Sequence, residues 1–68
     1  MKVCFDAKMD TLSVLFRESV EVVESEEVSP GVILDYDKVG NAVSLEILDV
    51  SQRGIDLRRI EYRISGRF

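Results

Sequence analysis

An internal repeat with a constant offset of 31 residues constrains this chain more than any other feature of its sequence. Segments 1–16 and 32–47 are two copies of one pattern, in which eight positions correspond: Phe5 with Tyr36, Asp6 with Asp37, Asp10 with Asn41, Thr11 with Ala42, Leu12 with Val43, Ser13 with Ser44, Val14 with Leu45, and Phe16 with Ile47. In both copies hydrophobic residues alternate with polar ones, which is typical of β-strands that have one buried face. The repeat therefore predicts two similar β-hairpins, 1–17 and 32–48.

Segments 7–10 and 38–41 are predicted to be the turns of these hairpins, because connections of about four residues are commonly built around a type I turn. They end in Asp10 and Asn41, residue types that tolerate a left-handed backbone conformation and can hydrogen-bond their own backbone. Turns of this length predict four cross-strand pairs on one shared, buried face: Val3 with Val14, Phe5 with Leu12, Leu34 with Leu45, and Tyr36 with Val43.

The rest of the chain adds shorter elements to the prediction. Residues 20–23 are read as a further short strand, and the Ser29-Pro30-Gly31 sequence predicts a kink or a sheet edge. At most one short helical turn is expected near 51–57. Residues 55–64 are ambiguous, because Leu57, Ile60 and Ile64 have helical spacing while Ile60, Tyr62 and Ile64 alternate with charged residues. We predict a strand there, because β-branched and aromatic residues favour strands.

Together these elements predict a mainly β fold in a single domain, 1–68, with one antiparallel sheet of about five strands. A domain of 68 residues buries only about 60% of the surface that its unfolded chain exposes. Cys4 is the only cysteine, so no internal disulfide can compensate for the small core. No long amphipathic helix is available to cover an apolar face. A homodimer, formed by face or by edge strand, is the preferred prediction, and closure into a small barrel is the alternative.

Composition argues against several classes of function. A net charge of -4 and a pI near 4.6 are unlike a nucleic-acid-binding domain, which needs clustered basic residues. No apolar run is long enough to predict a membrane span, and the N-terminus does not resemble a secretory signal, so a cytoplasmic protein is expected. The sequence has no histidine and no glycine-rich phosphate loop. No cofactor and no metal is predicted, and Cys4 is expected on the polar side of a strand rather than as a nucleophile.

Carboxylates supply the candidate sites. Alternation places Asp35, Asp37 and Glu46 on one face of the second hairpin, opposite the core. Such a group is compatible with a metal-assisted or acid/base hydrolytic enzyme, although a solvated acidic face is the simpler interpretation. Acid is also concentrated between Glu18 and Glu27, while arginines are concentrated in the C-terminal third. The candidate interaction surface, suited to a basic protein partner, consists of Glu21, Glu24, Glu26, Glu27, Asp35, Asp37 and Glu46.

Three sequence motifs are distinctive: FDAKMDTL at 5–12, SEEVSPGVILDYD at 25–37 with Gly40, and LEILDVS at 45–51. Together they resemble a small prokaryotic family, domain of unknown function 2283. The chain departs from many relatives at Ala42 and Ser44. The family that the motifs resemble has no established activity, so the resemblance does not imply one for this chain. Genes of this type are sometimes reported beside those of small toxin-like proteins, so the resemblance implies an antitoxin-like or partner-binding role. A homodimeric interaction module is therefore the preferred functional hypothesis, and a hydrolytic enzyme is the alternative.

Overall fold

Five strands form one antiparallel sheet in the computed structural model, which describes residues 1–67. The strands are β1 (Lys2–Asp6), β2 (Thr11–Leu15), β3 (Glu24–Ser29), β4 (Val32–Tyr36) and β5 (Ala42–Ile47), and a 3-10 turn, Val50–Gln52, follows. Their order across the sheet is β1-β2-β5-β4-β3. The prediction of a mainly β protein with an antiparallel sheet is confirmed. Within residues 1–67, no helix is long and apolar enough to cross a membrane.

The two predicted hairpins are β1–β2 and β4–β5, and β2 joins β5 to make them one sheet. Three of the four predicted cross-strand pairs are confirmed: Val3 with Val14, Phe5 with Leu12, and Leu34 with Leu45. The fourth is wrong, because a register shift after Asp35 places Tyr36 opposite Ala42. A bulge of this kind gives one strand an extra residue.

Aspartates at equivalent positions of the repeat hold both hairpin turns. Oδ1 of Asp6 accepts hydrogen bonds from the backbone N–H groups of Lys8 (3.0 Å) and Met9 (3.1 Å). Oδ1 of Asp37 accepts bonds of 2.9 Å from those of Val39 and Asn41. These side chains replace partners that the turn backbone cannot supply. These contacts explain why both copies of the repeat have an aspartate just before the turn.

Apolar side chains occupy one face of the sheet, which we call the apolar face. The register sets them in two rows: Val3, Val14, Leu45 and Leu34 in one, and Phe5, Leu12, Ile47 and Val32 in the other. The fully buried apolar side chains among residues 1–67 are Val43 and Val50, at 1% and 0% exposure. Phe5 and Val3 remain 37% and 44% exposed. One chain therefore leaves part of its own apolar face in contact with water.

Two predicted strands are wrong. Residues 20–23 do not form a strand, and the outer strand is instead Glu24–Ser29, whose sequence ESEEVS has little intrinsic β preference. Pairing with the backbone of β4 outweighs that preference, and Pro30 and Gly31 form the turn between them. Residues 55–64 do not form the expected C-terminal strand. Alternating sequence gives a segment the propensity for a strand, but a strand also needs an edge to pair with.

Arg53 links the segment after β5 to the β3–β4 turn, and a substitution at Gly31 tests this link. Nε of Arg53 donates to the carbonyl of Leu48 (2.6 Å), and Nη2 donates to that of Pro30 (2.7 Å). Gly31 has φ +72°, and a Cβ there would lie 2.0 Å from Nη2. We expect Gly31→Ala to lower the free energy of unfolding by about 2–4 kcal/mol, because it adds left-handed strain and displaces the guanidinium.

Gly54→Ala is the matched control for this change. Gly54 has nearly the same φ, +70°, and apart from its two chain neighbours no part of residues 1–67 lies within 4 Å of an added Cβ. Strain alone should cost about 1–2 kcal/mol in that variant. Urea denaturation of both variants measures the difference. Equal losses would show that the Arg53 contacts do not stabilise the fold.

Candidate functional site

Asp35 and Glu46 lie near the centre of the sheet, on the face opposite the apolar rows, which we call the polar face. Asp35 on β4 lies opposite Ser44 on one side and Ser25 on the other. Glu46 on β5 lies opposite Ile33 and Ser13. The Asp35 residue is only 7% exposed, which makes it the buried charged residue of the described chain. A charge in that position needs hydrogen-bonding partners.

The partners of Asp35 are hydroxyl groups from both neighbouring strands. Ser25 Oγ donates to Oδ1 at 2.5 Å, and Ser44 Oγ donates to Oδ2 at 2.6 Å. Burial raises the pKa of Asp35, but hydrogen bonds from Ser25, Ser44 and Glu46 outweigh it and hold this pKa below the ordinary 3.8. Each donor stabilises the ionised carboxylate, so Asp35 is charged near neutral pH.

The pKa of Glu46 is shifted in the opposite direction. The hydrogen bond to the Asp35 carboxylate raises the pKa of Glu46 above the ordinary 4.5, and burial and the negative charge of Asp35 act in the same sense. A protonated Glu46 can donate to Asp35, whereas an ionised one repels it. When the pair holds one proton, that proton therefore lies on Glu46, and the titrations of the two carboxyl groups depend on each other.

A shallow depression of about 290 Å³ surrounds this pair. Its lining consists of Lys2, Cys4, Ser13, Leu15, Asp35, Ser44 and Glu46. Cys4 is exposed on β1, on the polar side as alternation predicts, and its carbonyl accepts a hydrogen bond from Ser13 Oγ at 3.4 Å. Chemically the depression offers two interacting carboxyl groups, hydroxyl groups and a thiol. Among residues 1–67, no group of three or more His, Cys, Asp or Glu is arranged to hold a metal ion.

Asp37 does not join this pair, contrary to the prediction that the three carboxylates share one face. It lies just beyond the end of β4, after the bulge, and forms an ion pair with Arg17. The hydrogen bond from Arg17 is the main reason that the pKa of Asp37 falls to about 2, and the backbone N–H groups of Asn41 and Val39 add to it. Sequence reasoning missed Arg17, because a pair 20 residues apart leaves no local signal.

The acidic residues before β4 lie along the outer edge of the sheet. Glu24, Glu26 and Glu27 are exposed on β3, and Glu21 precedes that strand. Glu24 and Glu26 lie opposite Tyr36 and Leu34, whereas Glu27 lies opposite Ile33 on the polar face. Within the described chain, none of these four glutamates forms an ion pair. The predicted interaction surface is therefore divided between this acidic edge and the polar face.

Comparison with protein-family models matches residues 2–51 to a family described as "Protein of unknown function (DUF2283)". The matched range includes all five strands. It confirms the resemblance seen in the sequence motifs. No curated protein and no solved structure matches the chain.

Proposed function

The chain belongs to the DUF2283 family of proteins of unknown function, and we propose that it is a protein-interaction module that forms a homodimer through the apolar face of its sheet. The observation that carries this proposal is the pair of apolar rows on that face. They cross β1, β2, β5 and β4 without a charged residue. Side chains on the outer strand β1 stay more than a third exposed in one chain, with Val3 at 44% and Phe5 at 37%.

A second copy is the occupant that fits this surface best. Two sheets that pack face to face lie about 10 Å apart and interdigitate their inner side chains. A two-fold dimer sets the same patch against itself, so two apolar patches meet without unpaired charges. The charged residues on this side of the sheet are Glu24 and Glu26, and both lie on the outer strand β3. They would therefore lie at the rim of the interface, which stays in contact with water. Dimerisation would supply the apolar burial that a chain of 68 residues lacks.

Dimerisation through the apolar face leaves the polar face and the acidic edge free for another partner. The net charge of -4 and the glutamates of β3, which form no ion pair within residues 1–67, suit a basic protein, and a small toxin bound by an antitoxin-like module is such a partner. We place this interaction in the cytoplasm, where the free Cys4 would stay reduced. Binding of that kind weakens as salt is added, because rim charges are screened.

The hydrolytic alternative has one observation in its favour. Asp35 and Glu46 have pKa values displaced in opposite directions, which is the arrangement of an acid and base pair. We rank it second, because Ser25 and Ser44 already occupy both oxygens of the Asp35 carboxylate. The depression beside the pair is also shallow and open, whereas substrates are usually held in concave pockets.

Thermal unfolding at two protein concentrations tests the proposed dimer. If folding and dimerisation are coupled, the midpoint of unfolding should rise by several degrees over an increase of about 100-fold in concentration, because mass action favours the dimer. Circular dichroism in cells of different path length measures this midpoint. A midpoint that does not change with concentration would contradict a dimer that stabilises the fold.

A further inference from the structure

Residues 55–67 form a C-terminal arm that has the sequence of a strand but pairs with no strand within the described residues 1–67. Ile60, Tyr62 and Ile64 alternate with Arg59, Glu61 and Arg63, and the three apolar side chains are 71%, 75% and 54% exposed. Within residues 1–67, no backbone–backbone hydrogen bond joins the arm to the rest of the chain. A β-prone segment with unpaired backbone groups is suited to adding to the edge of a sheet.

The edge of β3 that does not pair with β4 is acidic, and its charge is opposite to that of the arginine-rich arm. Glu24, Glu26 and Glu27 are exposed on this strand, whose other edge pairs with β4. The arm contains four arginines and two acidic residues, Arg58, Arg59, Arg63 and Arg67 with Asp56 and Glu61. Opposite charges on adjacent strands stabilise their pairing, whereas the like charges of two β3 strands would oppose it.

The start of the arm lies close to this edge of the sheet. Arg53 binds the carbonyl of Pro30, in the turn that follows β3, so the chain leaves the sheet beside that turn. Residues 54–58 can span up to about 17 Å when extended, which exceeds the separation of about 10 Å between two packed sheets. An arm anchored on one sheet can therefore reach the other sheet of a face-to-face dimer.

We propose that the arm of one copy pairs as an additional strand with the free edge of β3 in a second copy. The second copy is the occupant because, within residues 1–67, the arm makes no backbone hydrogen bond to its own β3. In the single chain Arg58 pairs with Asp56 and Arg59 with Glu61, so neither reaches a glutamate of β3. This inference rests on the proposed homodimer and adds an exchanged strand to it. The exchanged strand occupies the acidic edge that the face-to-face contact alone leaves free, so a basic partner would then bind the polar face, on which Glu27 lies.

Isotope-filtered NMR on the full-length protein tests the pairing directly. The sample is a dimer with one isotopically labelled and one unlabelled copy, in which only contacts between copies are detected. We expect intermolecular contacts between residues 59–64 and residues 24–27, together with protection of the arm amides from hydrogen exchange. Contacts found only within one copy, or a dimer whose arm stays unprotected, would overturn the inference while leaving the homodimer intact. A monomer at every concentration would overturn both proposals.

Charge reversal provides a second readout. The double variant Arg59→Glu with Arg63→Glu should raise the dimer Kd about tenfold at low salt, because the arm would then repel the acidic edge. Arg58→Glu with Arg67→Glu is the matched control, since it makes the same change in net charge outside residues 59–64, and it should raise Kd less than about twofold. Equal increases in the two variants would indicate unspecific charge attraction and overturn the paired strand.

Discussion

Val3→Glu should raise the dimer Kd at least about 100-fold, because each dimer would bury two unpaired carboxylates at a cost of about 1.4 kcal/mol or more apiece. Val3 lies on the outer strand β1, in the same row of the apolar face as Val14 and Leu45. Its side chain is 44% exposed in the single chain. The monomer should therefore tolerate the change better than the dimer. Sedimentation equilibrium over a range of concentrations measures the effect.

Val39→Glu is the matched control. It makes the same substitution at a residue that is 75% exposed in the turn between β4 and β5, away from the apolar face. This variant should keep the Kd of the unchanged protein within about twofold, since surface changes of this kind are usually worth less than about 0.5 kcal/mol. Circular dichroism confirms that both variants are folded. If the two substitutions weakened the dimer equally, or if neither did, the apolar face would not be the interface.

Asp35→Asn is expected to lower the pKa of Glu46 toward its ordinary 4.5 and to reduce the free energy of unfolding by about 1–3 kcal/mol. The amide removes the charge that favours a protonated Glu46. It also replaces the ionised acceptor to which Ser25 and Ser44 donate. Side-chain carboxyl chemical shifts, followed by NMR as the pH is raised, report the pKa, and urea denaturation reports the stability.

The pH dependence of stability has a definite sign for each member of the pair. Because the pKa of Glu46 is raised by folding, its contribution is full below pH 4.5 and is lost as the pH rises through the folded value. The pKa of Asp35 is lowered, so its contribution is present above pH 3.8 and is lost as the pH falls through the folded value. Asp35→Asn should remove the dependence that comes from Asp35 and weaken the one that comes from Glu46, whose pKa burial still raises.

Asp37→Asn serves as the control for that experiment. Asp37 pairs with Arg17 and lies apart from the Asp35 and Glu46 pair, so its substitution should leave the titration of Glu46 unchanged. It should remove only the carboxyl signal that titrates near a pKa of about 2. A Glu46 pKa that falls in Asp37→Asn but not in Asp35→Asn would contradict the assignment of the coupled pair.

Sequence periodicity predicted the two hairpins because their strands alternate, and side chains on a strand alternate between faces. The same rule placed Asp35 and Glu46 together on the polar face, where the structure pairs them. It failed for Asp37, because the bulge after Asp35 breaks the alternation and Arg17 holds the carboxylate elsewhere. A bulge depends on packing between strands and has no signature in the order of residues here.

The outer strands show a different limit of sequence reasoning. Glu24–Ser29 has no alternating apolar residues, and it becomes a strand because β4 offers it a free edge. Residues 55–64 have the alternating pattern but form no strand, because the single chain does not bring them to an edge. At the edges of a sheet, the intrinsic β preference of a segment therefore predicts strand formation less well than the availability of a partner strand does. In the proposed dimer, the second copy would supply such an edge.

The solution mass, measured by light scattering behind a sizing column, tests the homodimer most directly. The protein should scatter as twice the 7.7 kDa mass of one chain. The dimer should persist in about 0.5 M salt, because packed apolar faces are not screened as charges are. A mass of 7.7 kDa at all concentrations up to the millimolar range would show that the sheet remains a monomer. That result would contradict the proposed interaction module in its homodimeric form.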